Sequence, residues 1–218
     1  NWLIKIAILG TRGIPNNYGG FEQFAEYLSV GLLKYGHAVT VFNSHTHPYQ
    51  QSIWQGVSIV HQHDPEDKIG TAGQFIYDFN CIRYARKQNF DVILQLGYTS
   101  NSIWGKFLPR RSVIVTNMDG LEWKRSKYSN MAKAFLKMAE KWAIKTSDYL
   151  ISDSTGIQSH LKEKYNVSSE HIAYGASLFN DPDFKIVSKK YQGLGPYLYD
   201  MIIARMEPEN NIEMILDG

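Results

Sequence analysis

The sequence predicts an α/β protein built on a doubly wound parallel sheet. Strand-like runs alternate with helical patterns along most of the chain, as in repeated crossover units. The runs are rich in Val and Ile and mostly apolar on both sides, which is typical of strands covered by helices on each face. With 218 residues, of which 44% are hydrophobic, the chain has enough material for a sizeable core.

The elements follow in alternation. The predicted strands are Ile4–Leu9, Ala38–Phe42, Val57–His61, Asp91–Gln95, Ser112–Thr116, Tyr149–Ser152 and His171–Tyr174. The predicted helices, which lie between several of these strands, are Phe21–Tyr35, Thr71–Gln88, Asn130–Thr146 and Thr155–Tyr165.

The alternating pattern ends after Ala176. Residues 177–196 contain Pro, Gly and Lys without a sustained period, which predicts a linker. Residues 197–218 predict a new strand, loop and helix. We therefore expect a first domain over residues 1–176, a linker over 177–196 and the start of a second domain over 197–218. Because the chain begins without Met and stops within a helical pattern, we expect a fragment of a longer protein.

Composition excludes several classes of protein. A net charge of +2, with 20% charged residues, is too mild to indicate a nucleic-acid binder. The single cysteine, Cys81, cannot form an internal disulfide, so a reducing compartment is expected. No apolar run reaches the roughly 18 residues that span a bilayer, and the start lacks a signal-peptide pattern. The expected location is the cytoplasm.

A long loop rich in Gly, Asn and Pro follows the first strand. Ligands of open α/β sheets bind at the carboxyl ends of strands, and a helix N-terminus offers free N–H groups to a phosphate. Gly19 and Gly20 would let the backbone approach such a ligand, and Arg12 is a candidate charged donor. The alternative is a turn whose glycines serve the backbone alone. Neither a G-x-G-x-x-G fingerprint nor a P-loop is present, which disfavours NAD enzymes and P-loop NTPases.

Two segments resemble glycosyltransferase family 4. The first is TRGIPNNYGGFEQFAEYLSVGLLKYGHAVTVF, with a Gly-Gly loop, a helix and a G-H-x-V-x-V strand. The second, NMDGLEWKRSKYS, is similar to the rhamnosyltransferase-like subgroup of polysaccharide assembly. The resemblance covers essentially the whole chain. It implies the GT-B fold, in which two Rossmann-like domains face each other across a cleft. The amino-terminal domain mainly binds the acceptor, and the carboxy-terminal domain mainly binds the nucleotide-sugar donor.

The resemblance also implies roles for particular residues. Gly19 and Gly20 match a loop near the donor diphosphate and the reacting sugar. Asp119 takes the position of a His that faces the reacting sugar in many relatives, and a carboxylate there could act as general base. This departure from the family pattern leaves an alternative, in which Asp119 caps a turn before Gly120.

Further contacts with the acceptor or within the loop are expected of Arg12, Tyr18, Glu22, Asn117 and Trp123. For Glu22 the alternative is a favourable position in the first turn of a helix. For Trp123 the alternative is packing against the loop instead of stacking on a sugar.

The segment MIIARMEPENN resembles the part of the second domain that holds the donor diphosphate with an Arg and a Lys. Arg205 fits the first position, whereas Asn210 or Asn211 stands near the second. One of the two cationic residues that usually hold the diphosphate is therefore missing.

No metal or other cofactor is expected, since the nucleotide-sugar donor is a substrate. Two H-x-H pairs, His45 with His47 and His61 with His63, lack a cysteine or well-spaced carboxylate to complete a site. The Asp181-Pro182-Asp183 sequence mimics a D-x-D metal motif, but it lies in the predicted linker and is interpreted as a turn.

A stripe of lysines suggests a membrane partner. Lys133, Lys137, Lys141 and Lys145 recur every four residues of a predicted helix. Such a stripe could rest on anionic lipid at the inner face of the membrane. The alternative is a solvated helix face.

The sequence thus predicts a glycosyltransferase of the hexosyltransferase class. It would move a sugar, with rhamnose as a candidate, from a nucleotide-sugar donor to a saccharide or lipid-linked saccharide. Retention of anomeric configuration is implied by the family alone, and this chain by itself is expected to be inactive. The alternatives are a sugar-nucleotide-processing enzyme, such as an epimerase, and a non-catalytic carbohydrate-binding module.

Overall fold

A computed structural model of the chain describes residues 2–126, 128–175, 184–191, 193–195, 197–204, 206 and 210–218. The chain divides into two compact units, Asn1–Tyr174 and Gly175–Gly218. Arg205 and the Asp181-Pro182-Asp183 sequence lie outside the described residues.

A sheet of eight strands forms the centre of the first unit in the described part of the chain. The strands are β1 (Lys5–Leu9), β2 (Ala38–Ser44), β3 (Ile53–Trp54), β4 (Val57–Gln62), β5 (Val92–Leu96), β6 (Val113–Asn117), β7 (Tyr149–Ser152) and β8 (Glu170–His171). Their order is β3-β4-β2-β1-β5-β6-β7-β8. Neighbouring strands are parallel except for the β3–β4 pair. From β1 the chain builds outward first through β2 and then through β5, so a topological switch point lies beside β1.

Helices connect and cover these strands. The α-helices of the first unit are α1 (Gly20–Lys34), α2 (Glu66–Ile69), α3 (Ala72–Arg86), α4 (Asn130–Thr146) and α5 (Thr155–Tyr165). Short 3-10 helices lie at Ser102–Phe107 and Glu122–Lys124. In the part of the chain that the structure describes, every helix is too short or too polar to cross a bilayer.

The two faces of the sheet carry separate apolar cores because alternate strand residues point to opposite sides. Ile6 and Ile8 of β1 belong to a cluster that includes residues of α1. Ala7 and Leu9 belong to a different cluster, which includes Cys81 of α3. Cys81 is fully buried. The doubly wound α/β class predicted from the sequence is therefore confirmed.

The structure differs from the prediction at the edges of the sheet. The edge strand β3, the short helix α2 and both 3-10 helices were not predicted. The strand predicted at His171–Tyr174 is the two-residue β8, Glu170–His171. These short elements carry too few residues to produce a periodic pattern.

The second unit contains two described helices, α6 (Phe184–Lys190) and α7 (Ile212–Asp217). Helix α6 lies within the predicted linker. The strand predicted at the start of residues 197–218 is wrong for residues 197–204, which form no regular element. A strand needs a hydrogen-bonded neighbour, and no described residue of this unit is in a strand. The helix predicted after it is present as α7.

Candidate functional site

Polar residues gather at the carboxyl edge of the sheet in two groups. The first is the β1 loop, residues 10–19, between β1 and α1. The second, here called the carboxyl cluster, consists of Asn117, Asp119, Asp153 and Tyr174. These side chains follow or end the strands at one edge, where open α/β sheets bind ligands.

Hydrogen bonds from neighbouring elements hold the β1 loop. A carboxyl oxygen of Glu22 accepts from the Arg12 N–H at 2.8 Å and from the Thr11 hydroxyl at 3.2 Å. Glu22 is only 5% exposed, so its contact is with the loop. On the other side, the Asn43 side chain donates to the Ile14 carbonyl at 2.8 Å and accepts from the Ile14 N–H at 3.1 Å.

Gly19 and Gly20 lie where the loop enters α1. Gly19 is extended, with φ −160° and ψ −163°, and Gly20 is the first helical residue. A Cβ on Gly20 would meet nothing within 4 Å, and one on Gly19 would make an ordinary contact of 3.4 Å with Glu22. The backbone thus gives no reason for glycine at either position. By contrast, Gly10 and Gly13 have φ of +85° and +130°, which favour glycine.

Arg12 is engaged within the protein. Its guanidinium forms a bidentate ion pair with Glu66 of α2, with contacts of 2.7–3.1 Å, and lies 3.9 Å from the centroid of the Tyr18 ring. A cavity of about 260 Å³ adjoins this pair. The cavity is lined by four carboxylic residues besides Arg12, namely Glu22, Asp64, Glu66 and Asp67. This surrounding charge disfavours the phosphate contact expected of the Arg12 side chain.

The carboxyl cluster forms because β6 and β7 are parallel neighbours. Asn117 pairs in register with Ile151, and the Met118 N–H donates to the Ile151 carbonyl at 2.8 Å. Asp119 and Asp153 each stand two residues beyond that pair, so they follow it on the same side of the sheet. The Asn117 amide donates to the Tyr174 hydroxyl at 3.1 Å, and the Tyr174 ring packs edge-on against Phe24 of α1.

The environment changes the acidity of this cluster. Burial raises the pKa of Asp119 to about 7, and a hydrogen bond with Asp153 and the charges of Asp153 and Glu122 act in the same direction, against Arg125. Burial, together with the Asp119 charge, also raises the pKa of Tyr174, which therefore stays neutral. A carboxyl group with a pKa near 7 suits proton transfer at neutral pH.

Two acceptor atoms of the cluster have no hydrogen-bond partner among the described residues. They are Asn117 Oδ1 and Asp153 Oδ1, both buried. Asn117 is 2% exposed. Buried polar atoms in proteins are usually satisfied. These two are free to accept hydrogen bonds from a ligand that carries hydroxyl or N–H groups.

Trp123 lies in a different network. Its indole N–H donates to Glu140 of α4 at 3.0 Å, and the ammonium group of Lys164 lies 4.7 Å from its ring centroid. Glu140, 1% exposed, also accepts from Lys164, Tyr165 and His160. Burial opposes ionisation, but the bonds from Tyr165, Trp123 and the others lower the pKa of Glu140. The ring is therefore packed among protein groups.

Sequence reasoning missed Asp153 and Tyr174. Asp153 follows directly after the predicted strand Tyr149–Ser152, so the strand-end position that singled out Asp119 could have identified it. Tyr174 ends a predicted strand, and nothing in its local sequence connects it with Asn117.

One histidine of each H-x-H pair contacts a backbone carbonyl. His47 Nε2 lies 3.1 Å from the Pro15 carbonyl, and His61 Nε2 lies 2.9 Å from the Tyr49 carbonyl. Among the described residues, no group of three His, Cys, Asp or Glu side chains has an arrangement suited to a metal ion.

Comparison with known proteins gives a family and a fold. The family model described as a domain of unknown function (DUF1972) matches residues 3–177. No curated protein matches the chain. A sucrose-phosphate synthase from Thermosynechococcus elongatus superposes with a TM-score of 0.65 at 14% identity, over 86% of this chain and 53% of that one. The chain thus spans about half the length of that enzyme.

A second sucrose-phosphate synthase structure from the same organism superposes with a TM-score of 0.53 at 11% identity, over 85% of this chain and 94% of that one. At such identities the likeness concerns the fold alone. It confirms the Rossmann-like α/β architecture of a GT-B domain.

Proposed function

The chain belongs to the DUF1972 family, and on that premise we propose that it is the acceptor-binding domain of a glycosyltransferase. The reaction moves a sugar from a nucleotide-sugar donor to a hydroxyl group of a saccharide or lipid-linked saccharide. The sequence resemblance and the fold of sucrose-phosphate synthase support this proposal. The donor is bound mainly by a second Rossmann-like domain, so the proposal concerns the protein in which both domains are joined.

The observation that carries the proposal is the carboxyl cluster. Transfer to a hydroxyl group requires a nearby acceptor for its proton. Asp119, with a pKa of about 7, is suited to that step. The unpaired oxygens of Asn117 and Asp153 are suited to accept from hydroxyl groups beside it. An anionic acceptor group would be disfavoured next to these oxygens.

The N-terminus of α1 supports the placement of the donor diphosphate. Gly19 is the N-cap residue of this helix of 15 residues and, as a glycine, makes no side-chain cap hydrogen bond. The first N–H groups of a helix lack intrahelical partners and attract anions. Since Arg12 is paired with Glu66, backbone N–H groups are the donors we assign to the phosphate on this side of the cleft.

Phe24 links the two halves of this site. The residue lies on α1, one turn after its start, and its ring centroid is 5.3 Å from that of Tyr174. The Gly19-Gly20 turn and the carboxyl cluster therefore border the same face of the sheet. This arrangement suits a donor diphosphate and an acceptor hydroxyl group that react with each other.

The finer assignments rest on the sequence resemblance. We propose rhamnose or another hexose as the transferred sugar, retention of configuration, and a role in polysaccharide assembly at the cytoplasmic side of the membrane. The lysine stripe supports contact with anionic lipid, because Lys137, Lys141 and Lys145 are exposed. Leu136 is buried, so the contact would be mainly electrostatic, at about 1 kcal/mol per lysine near the surface.

Liposome co-sedimentation tests the membrane contact. Binding should require anionic lipid and should weaken when Lys133, Lys137, Lys141 and Lys145 are changed to Gln. Binding that is unchanged in this variant, or equal on neutral vesicles, would contradict the contact and leave a solvated helix face.

A donor panel tests the proposed reaction. The two-domain protein is incubated with individual nucleotide sugars, and release of the nucleoside diphosphate is measured with and without simple saccharide acceptors. We expect one donor or a few to be consumed, faster when acceptor is present. A protein that neither binds nor consumes any donor would contradict the proposal.

A further inference from the structure

The strand ladder brings a second carboxyl group to the candidate base. The β6–β7 ladder pairs Asn117 with Ile151, and the next residues on the same side are Asp119 and Asp153. Neighbouring strands are about 4.8 Å apart. The ladder ends at the Asn117–Ile151 pair, and just beyond it the Asp119 and Asp153 carboxyl groups lie within hydrogen-bonding contact of each other.

Among the described residues, the charged groups that act most strongly on Asp119 are Asp153, Glu122 and Arg125. Glu122, in the 3-10 helix after β6, and Arg125, just past the end of that helix, both act on Asp119. These two are paired with each other at 3.3 Å, so Arg125 is shared between carboxylates. Tyr98 and Tyr174, which face the pair from the loop after β5 and from beyond β8, stay neutral. Two buried like charges cannot both ionise easily, and a shared proton removes the repulsion.

We propose that Asp153 is a positioning residue that shares one proton with Asp119 and holds the candidate base in place. Asp119 touches the acceptor hydroxyl, and Asp153 acts through Asp119. When the pair carries one proton, the unprotonated oxygen accepts the bond from the protonated carboxyl group. This role rests on the proposed function.

The proton balance of the transfer step follows from this pairing. The acceptor oxygen forms a bond to the anomeric carbon of the donor, and the bond from that carbon to the diphosphate breaks. The hydroxyl proton passes to the carboxyl pair, and the diphosphate leaves with the bonding electrons. The pair must be singly deprotonated beforehand, so turnover should rise as pH increases through about 7.

Carboxyl NMR of this chain, labelled with ¹³C at the Asp side chains, tests the pairing without any substrate. In the wild-type chain, one carboxyl of the pair should titrate near pH 7 and the other well below. In Asp153→Asn, the Asp119 midpoint should fall by about one pH unit, because burial still acts on Asp119 in the variant. Glu163→Gln removes an exposed carboxylate of α5 as a matched control and should leave the midpoint unchanged.

Several outcomes would overturn the pairing. The first is a wild-type Asp119 midpoint in the ordinary range of aspartate, and the second is an Asp119 midpoint that Asp153→Asn leaves unchanged. The third is an Asp119 midpoint that falls on addition of Mg²⁺, because the two carboxylates would then share a cation instead of a proton. If Asp153→Asn does not fold, the two-step titration of the wild-type chain still decides.

Kinetics of the two-domain protein gives the functional readout. The rising limb of the pH profile should move to lower pH in Asp153→Asn, which a merely structural residue would not cause. A two-step titration in a protein that consumes no nucleotide sugar would support the pair and contradict the proposed function. If Asp119 titrated in the ordinary range of aspartate in an enzyme that transfers sugar, the pair would be contradicted and the proposed function supported.

Discussion

Asp119 is the residue on which the proposed chemistry depends. It lies at the carboxyl edge of the sheet, and burial together with Asp153 raises its pKa to about 7. Asp119→Asn removes the proton acceptor while it keeps the size of the side chain. Turnover of the two-domain protein should fall by roughly a hundredfold or more, whereas the circular dichroism spectrum should not change.

The control for this prediction is Glu163→Gln, which removes an exposed carboxylate of α5. It should retain wild-type turnover. Near-normal turnover by a folded Asp119→Asn enzyme would show that this carboxylate is not the base and would favour the turn-capping alternative.

Asp78 of α3 is a second buried carboxyl group with a raised pKa. Burial raises it to about 7, with a contribution from Asp64, although the Ser100 hydroxyl donates to it at 2.5 Å. Between the ordinary aspartate pKa and pH 7, the folded chain holds a proton that the unfolded chain has lost. This group therefore lowers the free energy of unfolding as pH rises through that window.

Asp78→Asn should abolish this decrease in the free energy of unfolding with rising pH. At pH 8 the variant should be more stable than the wild type, by up to about 4 kcal/mol for a three-unit shift, and the difference should be small at pH 4. Urea denaturation at the two pH values measures it. Equal differences at both pH values would mean that the pKa of Asp78 is the same in the folded and the unfolded chain.

At the scale of elements, a substitution at the start of α1 is expected to weaken ligand binding without lowering the stability of the fold. Gly20 is helical, and a Cβ there would meet nothing within 4 Å. Gly20→Val should therefore fold, with little change in melting temperature. Its side chain would occupy the space assigned to the diphosphate, so we expect at least a tenfold loss of donor-dependent kcat/KM, which is about 1.4 kcal/mol.

Gly31 offers a matched control in the same helix, since a Cβ there also meets nothing within 4 Å. Gly31→Ala should raise the stability by up to about 1 kcal/mol and leave kcat/KM unchanged. A Gly20→Val variant that melts earlier but keeps its kcat/KM would mean that the glycine is structural.

At the scale of the whole molecule, the first unit, Asn1–Tyr174, contains the complete described sheet and its cores. We expect it to fold without a donor-binding domain. The 218-residue chain should nevertheless be inactive in the donor assay, because no second Rossmann-like domain would close over the diphosphate and exclude water. The assay compares this chain with the two-domain protein at equal concentration. Comparable turnover would place the whole site within these residues.

Local patterns in the sequence were sufficient for the alternation of strands and helices and for the strand-end position of Asp119. Runs of Val and Ile indicate buried strands, and such runs can be recognised from residues that are neighbours in the sequence. The loop glycines were also recognised, although only the structure separates Gly10 and Gly13, which the backbone requires, from Gly19 and Gly20, which it does not.

The tertiary structure alone decided which of these groups meet. Arg12, whose loop suggested a contact with a phosphate, is paired with Glu66, 54 residues away in sequence. Trp123 is bound to Glu140 of α4. Asp153 contacts Asp119 because the two residues follow the neighbouring strands β6 and β7. Such contacts, and the pKa values that follow from them, depend on the packing of distant segments, which no local pattern in the sequence records.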